Sequence, residues 1–213
     1  MVGQYSEVVA KKIKENTSSF ASIMAIQQLR PEDYLDIYKA LDKGLTTKYP
    51  DNKDIKSFHG MVQQTEMMVS RTEAIKVGNE APELILPMPN DKDLALTSLR
   101  GKVVLVDFWA SWCAPCRKEL PNVKRAYAKY KNKGFEILGV SLDKDRDAWI
   151  EAISTEGLTW PQVSDLKFWQ SEAVQVYAIQ SIPYTVLIDK EGKIIATDLR
   201  GADLDKKLAE VLK

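Results

Sequence analysis

The sequence predicts an α/β domain, strands alternating with helices, preceded by a small all-helical domain. Three observations carry this expectation. The run Lys102-Val103-Val104-Leu105-Val106-Asp107-Phe108-Trp109-Ala110 is apolar and β-branched, the pattern of a strand buried on both faces. From Pro115 the period changes, because Cys116, Leu120, Val123 and Tyr127 recur at four, three and four residues and so share one helix face. The first seventy-odd residues hold no cysteine, little glycine and no strand signal, only apolar residues at helical spacing. Domain boundaries are expected at residues 1–74 and 75–213.

Four helices are expected in the first domain. Tyr5, Val8, Val9 and Ile13 form one apolar stripe; Phe20, Ile23 and Met24 begin a second, opened by cap candidates in Asn16-Thr17-Ser18-Ser19. Pro31 suits a helix start, and Tyr34, Tyr38, Leu41 and Leu45 follow at four, three and four. After the breaker Lys48-Tyr49-Pro50-Asp51, the series Ile55, Phe58, Val62 and Val69 continues in a fourth helix. The lengths and the lack of a fixed repeat argue for a small bundle rather than a helical solenoid. Met61, Met67 and Met68 fit either core filling or an adaptable partner-binding surface. His59 reads as a packing or surface histidine, not a ligand.

In the second domain, Phe135-Glu136-Ile137-Leu138-Gly139-Val140-Ser141 reads as another strand, and Asp145 to Glu156 as a helix. Trp160-Pro161-Gln162-Val163 is extended, a second helical stretch runs from Phe168 to Tyr177, and a further strand lies within Gln180 to Asp189.

Chemistry is concentrated in Trp112-Cys113-Ala114-Pro115-Cys116, which holds the only two cysteines of 213 residues. They fall at the junction between strand and helix. There the unpaired backbone N–H groups and the macrodipole of the helix N-terminus favour a thiolate, which makes Cys113 the expected nucleophile. Cys116, one turn into the helix, is expected to be more buried and to act as the resolving thiol. Pro115 has no N–H to lose in the first turn. A zinc site needs four ligands, and beyond this pair the chain offers only the distant His59. Covalent haem attachment needs a histidine where Arg117 stands. An inert structural disulfide remains an alternative, although so small a loop gains little entropically.

The segment Val106-Asp107-Phe108-Trp109-Ala110-Ser111-Trp112-Cys113-Ala114-Pro115-Cys116 is similar, almost residue for residue, to the active-site segment of thioredoxins. Gln180-Ser181-Ile182-Pro183-Tyr184-Thr185-Val186-Leu187-Ile188-Asp189 resembles the cis-proline strand of that fold. The resemblance implies a thioredoxin fold, a central mixed β-sheet flanked by helices, with Ile182–Pro183 cis and the Ile182 backbone free to pair with an extended substrate. The alternative is an edge-strand proline with a trans bond.

Further features resemble the redoxin group, and within it the TlpA and ResA thiol–disulfide oxidoreductases of the bacterial envelope. These are Val77-Gly78-Asn79-Glu80-Ala81-Pro82, Leu96 to Lys102, Cys116-Arg117-Lys118-Glu119-Leu120-Pro121 with its helix-kinking proline, and the insertion between residues 141 and 180. The resemblance covers residues 75–213. It implies thiol–disulfide exchange through Cys113 and Cys116, with Trp112, Ile182 and Pro183 binding substrate and no cofactor or metal. Partners would be disulfide-containing protein substrates and an upstream thiol electron donor.

Asp107, an acid inside an apolar strand, should have a raised pKa and suits proton transfer at the resolving thiol; the alternative is a strand-end acid facing solvent. Glu119, one turn after Cys116, matches a glutamate that tunes the cysteines in ResA-like proteins, or is an ordinary solvated helix residue. With Ala114-Pro115 between the cysteines and no neighbouring histidine, the pair is expected to be a reductant. Two rival readings are a scaffold protein with a dispensable redox pair and a thiol peroxidase. The peroxidatic pattern Pro-x-x-x-Thr/Ser-x-x-Cys fits neither cysteine, since Val106 and Ala110, or Trp109 and Cys113, stand at its fixed positions.

Thirty basic and thirty acidic residues give a formal net charge of zero, which leaves no electrostatic case for nucleic acid or a strongly charged membrane surface. No apolar run reaches transmembrane length, and Met1-Val2-Gly3-Gln4-Tyr5 has neither the basic start nor the apolar core of an export signal. The family resemblance nevertheless implies the periplasm or cell envelope, with a signal removed from a longer chain; the alternative is the cytoplasm.

Overall fold

The computed structural model describes residues 2–212, and side chains from Gln4 onward. Met1 and Lys213, the outer ends of the two expected domains, lie outside the described residues. The chain divides into one compact unit ending at Ser70 and a second beginning at Arg71.

The first unit contains α1 (Val2–Glu15), α2 (Phe20–Ile26), α3 (Leu35–Lys48) and most of α4 (Lys53–Ala74). Its core is Ile37, Tyr38, Leu41 and Leu45 of α3 against Ile55, Phe58 and Val62 of α4, joined by Ile13, Ile26 and Leu29. The buried Tyr38 hydroxyl donates to the carbonyls of Ile26 (2.9 Å) and Leu29 (3.0 Å). It thereby ties the end of α2 and the turn after it to α3.

Two expected faces differ. On α1, Tyr5 and Val8 are exposed, and the helix buries Ala10 and Ile13. On α2, Phe20 and Met24 are exposed while Ser22 and Ile26 are buried. Ser22 can turn inward because its hydroxyl donates to the Asn16 carbonyl at 2.8 Å, so its burial leaves no unmet polar group. Met61 packs on the core, whereas Met67 and Met68 are exposed. His59 Nδ1 lies 2.8 Å from Asp42 Oδ2, linking α4 to α3.

The second unit opens with a two-stranded antiparallel sheet, β1 (Ile85–Pro87) and β2 (Asp93–Ala95). The main sheet follows from β3 (Val103–Trp109), β4 (Phe135–Ser141), β5 (Gln162–Val163), β6 (Tyr184–Ile188) and β7 (Ile194–Thr197), in the order β5-β4-β3-β6-β7. β3 is parallel to β4 and antiparallel to β6. The helices are α5 (Ala114–Tyr130), α6 (Arg146–Thr155), α7 (Glu172–Val176) and α8 (Gly201–Val211). α5 continues through Pro121. Asp145 caps α6 by accepting the Ala148 N–H at 2.9 Å.

The helical stretch expected from Phe168 to Tyr177 is interrupted. A single 3₁₀ turn, Phe168–Gln170, precedes α7, because Phe168 itself sits at φ 55°. That left-handed conformation cannot continue a right-handed helix.

All seven residues of β3 and all seven of β4 are buried. At this depth Gly139 of β4 is required for room. A Cβ there would come within 2.2 Å of Gln162 Oε1, the atom that accepts the Trp109 indole N–H at 3.0 Å. Gly139→Ala is therefore expected to destabilise the second unit by about 1–3 kcal/mol. Thermal unfolding followed by near-ultraviolet circular dichroism should show a lowered Tm with an altered tryptophan signal.

Candidate active site

The parallel strands β3 and β4 end at the same edge of the sheet, and β6, running the other way, begins there, with Phe108 opposite Tyr184. Four segments therefore meet at this edge: Ala110 to Cys113 after β3, Leu142 to Asp145 after β4, Ser164 to Ser171 after β5, and Ile182–Pro183 before β6. The cysteines lie on the first of them.

Cys113 is the N-cap of α5, and Cys113 and Cys116 are joined in a disulfide. Cys113 Sγ accepts the Cys116 backbone N–H at 3.2 Å, one of the donors a helix N-terminus leaves free. Pro115 occupies the first turn of α5. The expected difference in burial is not found, since each cysteine is 3% exposed. In the bonded pair each sulfur covers a face of the other. The asymmetry lies in hydrogen bonding, since among the described residues Cys113 Sγ accepts a backbone N–H and Cys116 Sγ does not.

Asp107 is 6% exposed, which removes the reading of a solvent-facing strand-end acid. Its neighbours across the sheet are Gly139, which has no side chain, and Thr185. The Thr185 hydroxyl is already committed, donating to the Leu199 carbonyl at 3.0 Å and accepting the Leu199 N–H at 2.8 Å. Burial, with a smaller contribution from the negative charge of Glu119, pushes the Asp107 carboxyl up from 3.8 to about 7. Near neutral pH it both holds and releases a proton.

Glu119 makes no hydrogen bond to either sulfur among the described residues. Its Oε1 accepts the Gly201 N–H at 2.6 Å and its Oε2 accepts from the Asn122 amide at 3.0 Å. It thus sits at the N-terminus of α8, where the helix dipole favours a carboxylate. Trp112 is 47% exposed, and its ring lies 5.2 Å from Phe168 and 6.4 Å from Trp169. The Ile182–Pro183 bond is cis, as the resemblance implied. Ile182 has neither its N–H nor its carbonyl in a backbone hydrogen bond among the described residues.

Sequence reasoning missed three supports of this edge. Asp143, 1% exposed, accepts from the Ser111 hydroxyl (2.6 Å), the Ser111 N–H (3.0 Å) and the Ser141 hydroxyl (2.7 Å). It ties the loop before Cys113 to the end of β4. Arg200 donates to the Pro183 carbonyl at 2.8 Å and pairs with Asp198 at 2.7 Å. Phe168 and Trp169 supply rings beside Trp112. For Asp143 the signal was the first acid beyond an apolar strand, in a run that also holds Asp145 and Asp147; for the others no local pattern exists.

Residues 77–197, more than half of the chain, match the model of the AhpC/TSA family. The chain belongs to this family. Within it, the chain is 33% identical over 144 residues to the thiol-disulfide oxidoreductase ResA of Bacillus cereus, covering 68% of this chain and 81% of that protein. ResA of Bacillus subtilis is 33% identical over 123 residues, 58% of this chain and 67% of that one. Among solved structures, the thioredoxin domain of a thiol-disulfide oxidoreductase from Bacteroides vulgatus is similar with a TM-score of 0.61 and 36% identity, covering 65% of this chain and 99% of that one. A thiol-disulfide oxidoreductase from Bacteroides fragilis matches with a TM-score of 0.60 and 40% identity, over 63% of this chain and 100% of that one. The AhpC/TSA unit of this chain has the thioredoxin fold, and the protein is a thiol–disulfide oxidoreductase. No helix among its described residues is long and apolar enough to cross a membrane.

The state of Asp107 in this AhpC/TSA-family site has a thermodynamic signature. Between pH 3.8 and about 7 the folded protein keeps a proton that the unfolded chain has released. Stability therefore falls as pH rises through that window, by on the order of 4 kcal/mol at about 1.4 kcal/mol per pH unit. Asp107→Asn is expected to remove most of this slope, raising stability at pH 8.5 by roughly 2–4 kcal/mol with no gain at pH 4. Urea denaturation at pH 4, 6 and 8.5 measures it.

Proposed function

We propose that the protein reduces disulfide bonds in protein clients through its Cys113–Cys116 dithiol. The observation that carries this reading is the disulfide at the N-terminus of α5, reached from a buried strand whose one acid titrates near neutrality. In the reduced protein Cys113 ionises and its thiolate attacks one sulfur of the client disulfide. A Cys113–client disulfide forms and the other client sulfur leaves as a thiolate. Cys116 then gives up its proton, with Asp107 as the acceptor directly or through water, and attacks Cys113 Sγ. The Cys113–Cys116 bond forms and the second client thiolate leaves. The client gains two electrons and two protons, and an upstream thiol donor of the same chemical class restores the dithiol.

In this scheme Trp112, Ile182 and Pro183 seat the client chain, the free backbone groups of Ile182 pairing with it as an added strand. Glu119 acts on the cysteines through its charge on Asp107. Residues 75–213 form the redox domain and residues 1–74 an accessory domain. The envelope is the compartment that fits a ResA-like protein, since disulfides persist there.

Single-cysteine variants test the scheme. Cys116→Ser, reduced and mixed with insulin, should accumulate a mixed disulfide through Cys113 that dithiothreitol releases. Cys113→Ser should trap nothing and lose insulin reduction by at least about a hundredfold. Insulin reduction by Cys113→Ser at the wild-type rate would contradict the reading. Asp107→Asn should slow the resolving step by about 10²-fold or more near pH 7 and remove the inflection near pH 7 from its rate profile, read by stopped-flow fluorescence.

A further inference from the structure

The segment from Ser164 to Ser171 is built to hold a phenylalanine outward. Ser164, 2% exposed, donates to the Ser141 carbonyl at 2.9 Å, and its hydroxyl accepts the Leu166 N–H at 3.1 Å. Asp165 accepts the N–H groups of Lys167 (3.2 Å) and Glu172 (3.0 Å), so its carboxylate spans the turn. Ser171, fully buried, caps α7 by accepting from Ala173 at 3.2 Å. Within this frame Leu166 and Phe168 have φ of 56° and 55°. Branched or bulky residues adopt that region only when their surroundings impose it. The result is alternate packing: Leu166 and Trp169 lie against the core, while Phe168 is 37% exposed.

The Phe168 ring meets Trp112 at 5.2 Å and Trp169 at 6.1 Å, making one uncharged aromatic surface. Trp112 immediately precedes Cys113. A thiol–disulfide oxidoreductase must receive its substrate over that sulfur, so the aromatic surface is continuous with the place where a client docks. Its rings offer apolar stacking faces, which fit an aromatic or large aliphatic client side chain.

We propose that Phe168, with Trp112 and Trp169, forms a subsite that selects extended client segments carrying an aromatic or large aliphatic residue next to the reactive cysteine. This rests on the disulfide-reducing reading above and adds the kind of client sequence it prefers. Strand pairing at Ile182 is indifferent to side chains, so preference must come from a surface such as this one.

The test uses two disulfide-linked peptide dimers, identical except that the residue before the single cysteine is leucine in one and serine in the other. Each is mixed with the reduced full-length protein, and the second-order rate of its oxidation is followed by tryptophan fluorescence. The leucine peptide is expected to react about tenfold faster, and in Phe168→Asn the ratio should fall to about two or below. Asparagine tolerates the left-handed conformation, so the turn is retained. Phe168→Tyr should keep the wild-type ratio. Equal rates for the two peptides with wild-type protein, or an undiminished ratio in Phe168→Asn, would overturn the subsite while leaving the reductase reading intact. If neither peptide nor oxidised glutathione oxidises the protein, the reductase reading fails and the subsite with it.

Discussion

β3 is closed to water along its whole length, from Val103 to Trp109, with β4 on one edge and β6 on the other. Full burial of each of its large apolar side chains contributes about 1.5–3 kcal/mol, so the strand's register is strongly determined. A slip of one residue would carry Asp107 to the opposite face and displace the segment that leads into Cys113. The position of the disulfide is thus a consequence of where an apolar strand must lie. The same burial gives Asp107 its chemistry, because a carboxyl enclosed in an apolar strand, facing Gly139 and a committed Thr185 hydroxyl, holds its proton to near neutral pH.

The edge of the sheet that carries the redox pair is assembled from loops, and loops need polar anchors. Asp143 fixes Ser111, Arg200 fixes the Pro183 carbonyl, and Glu119 fixes the start of α8. Each anchor joins segments distant in the chain, and Asp143 does so while almost wholly buried. A buried network of this kind rigidifies when every member is satisfied and is costly when one is removed. Glu119 shows the coupling between anchoring and chemistry: it caps a helix and, through its charge, raises the proton affinity of Asp107.

The parts legible in the sequence were those whose signal is local. β3, β4, α5 and α6 follow from apolar periodicity, and Asp107 stood out as an acid in an apolar strand. The outward faces of Tyr5, Val8, Phe20 and Met24 were misread because short amphipathic helices offer two adjacent stripes, and tertiary contacts choose between them. Phe168 looked helical because its left-handed φ is imposed by Ser164 and Asp165, not by its own preference. β1 and β2 are three residues each, too short for any period to register. The equal burial of Cys113 and Cys116 follows from the bond between them and from packing that spacing does not encode.

The central claim is that this strand-to-helix junction makes a reducing dithiol. Its most direct test is the equilibrium of the Cys113–Cys116 pair against dithiothreitol or glutathione, read by tryptophan fluorescence, since Trp109 and Trp112 flank the pair. The account predicts a potential close to that of thioredoxin, about −270 mV, or lower. A value near about −120 mV, that of a strong disulfide donor, would contradict it.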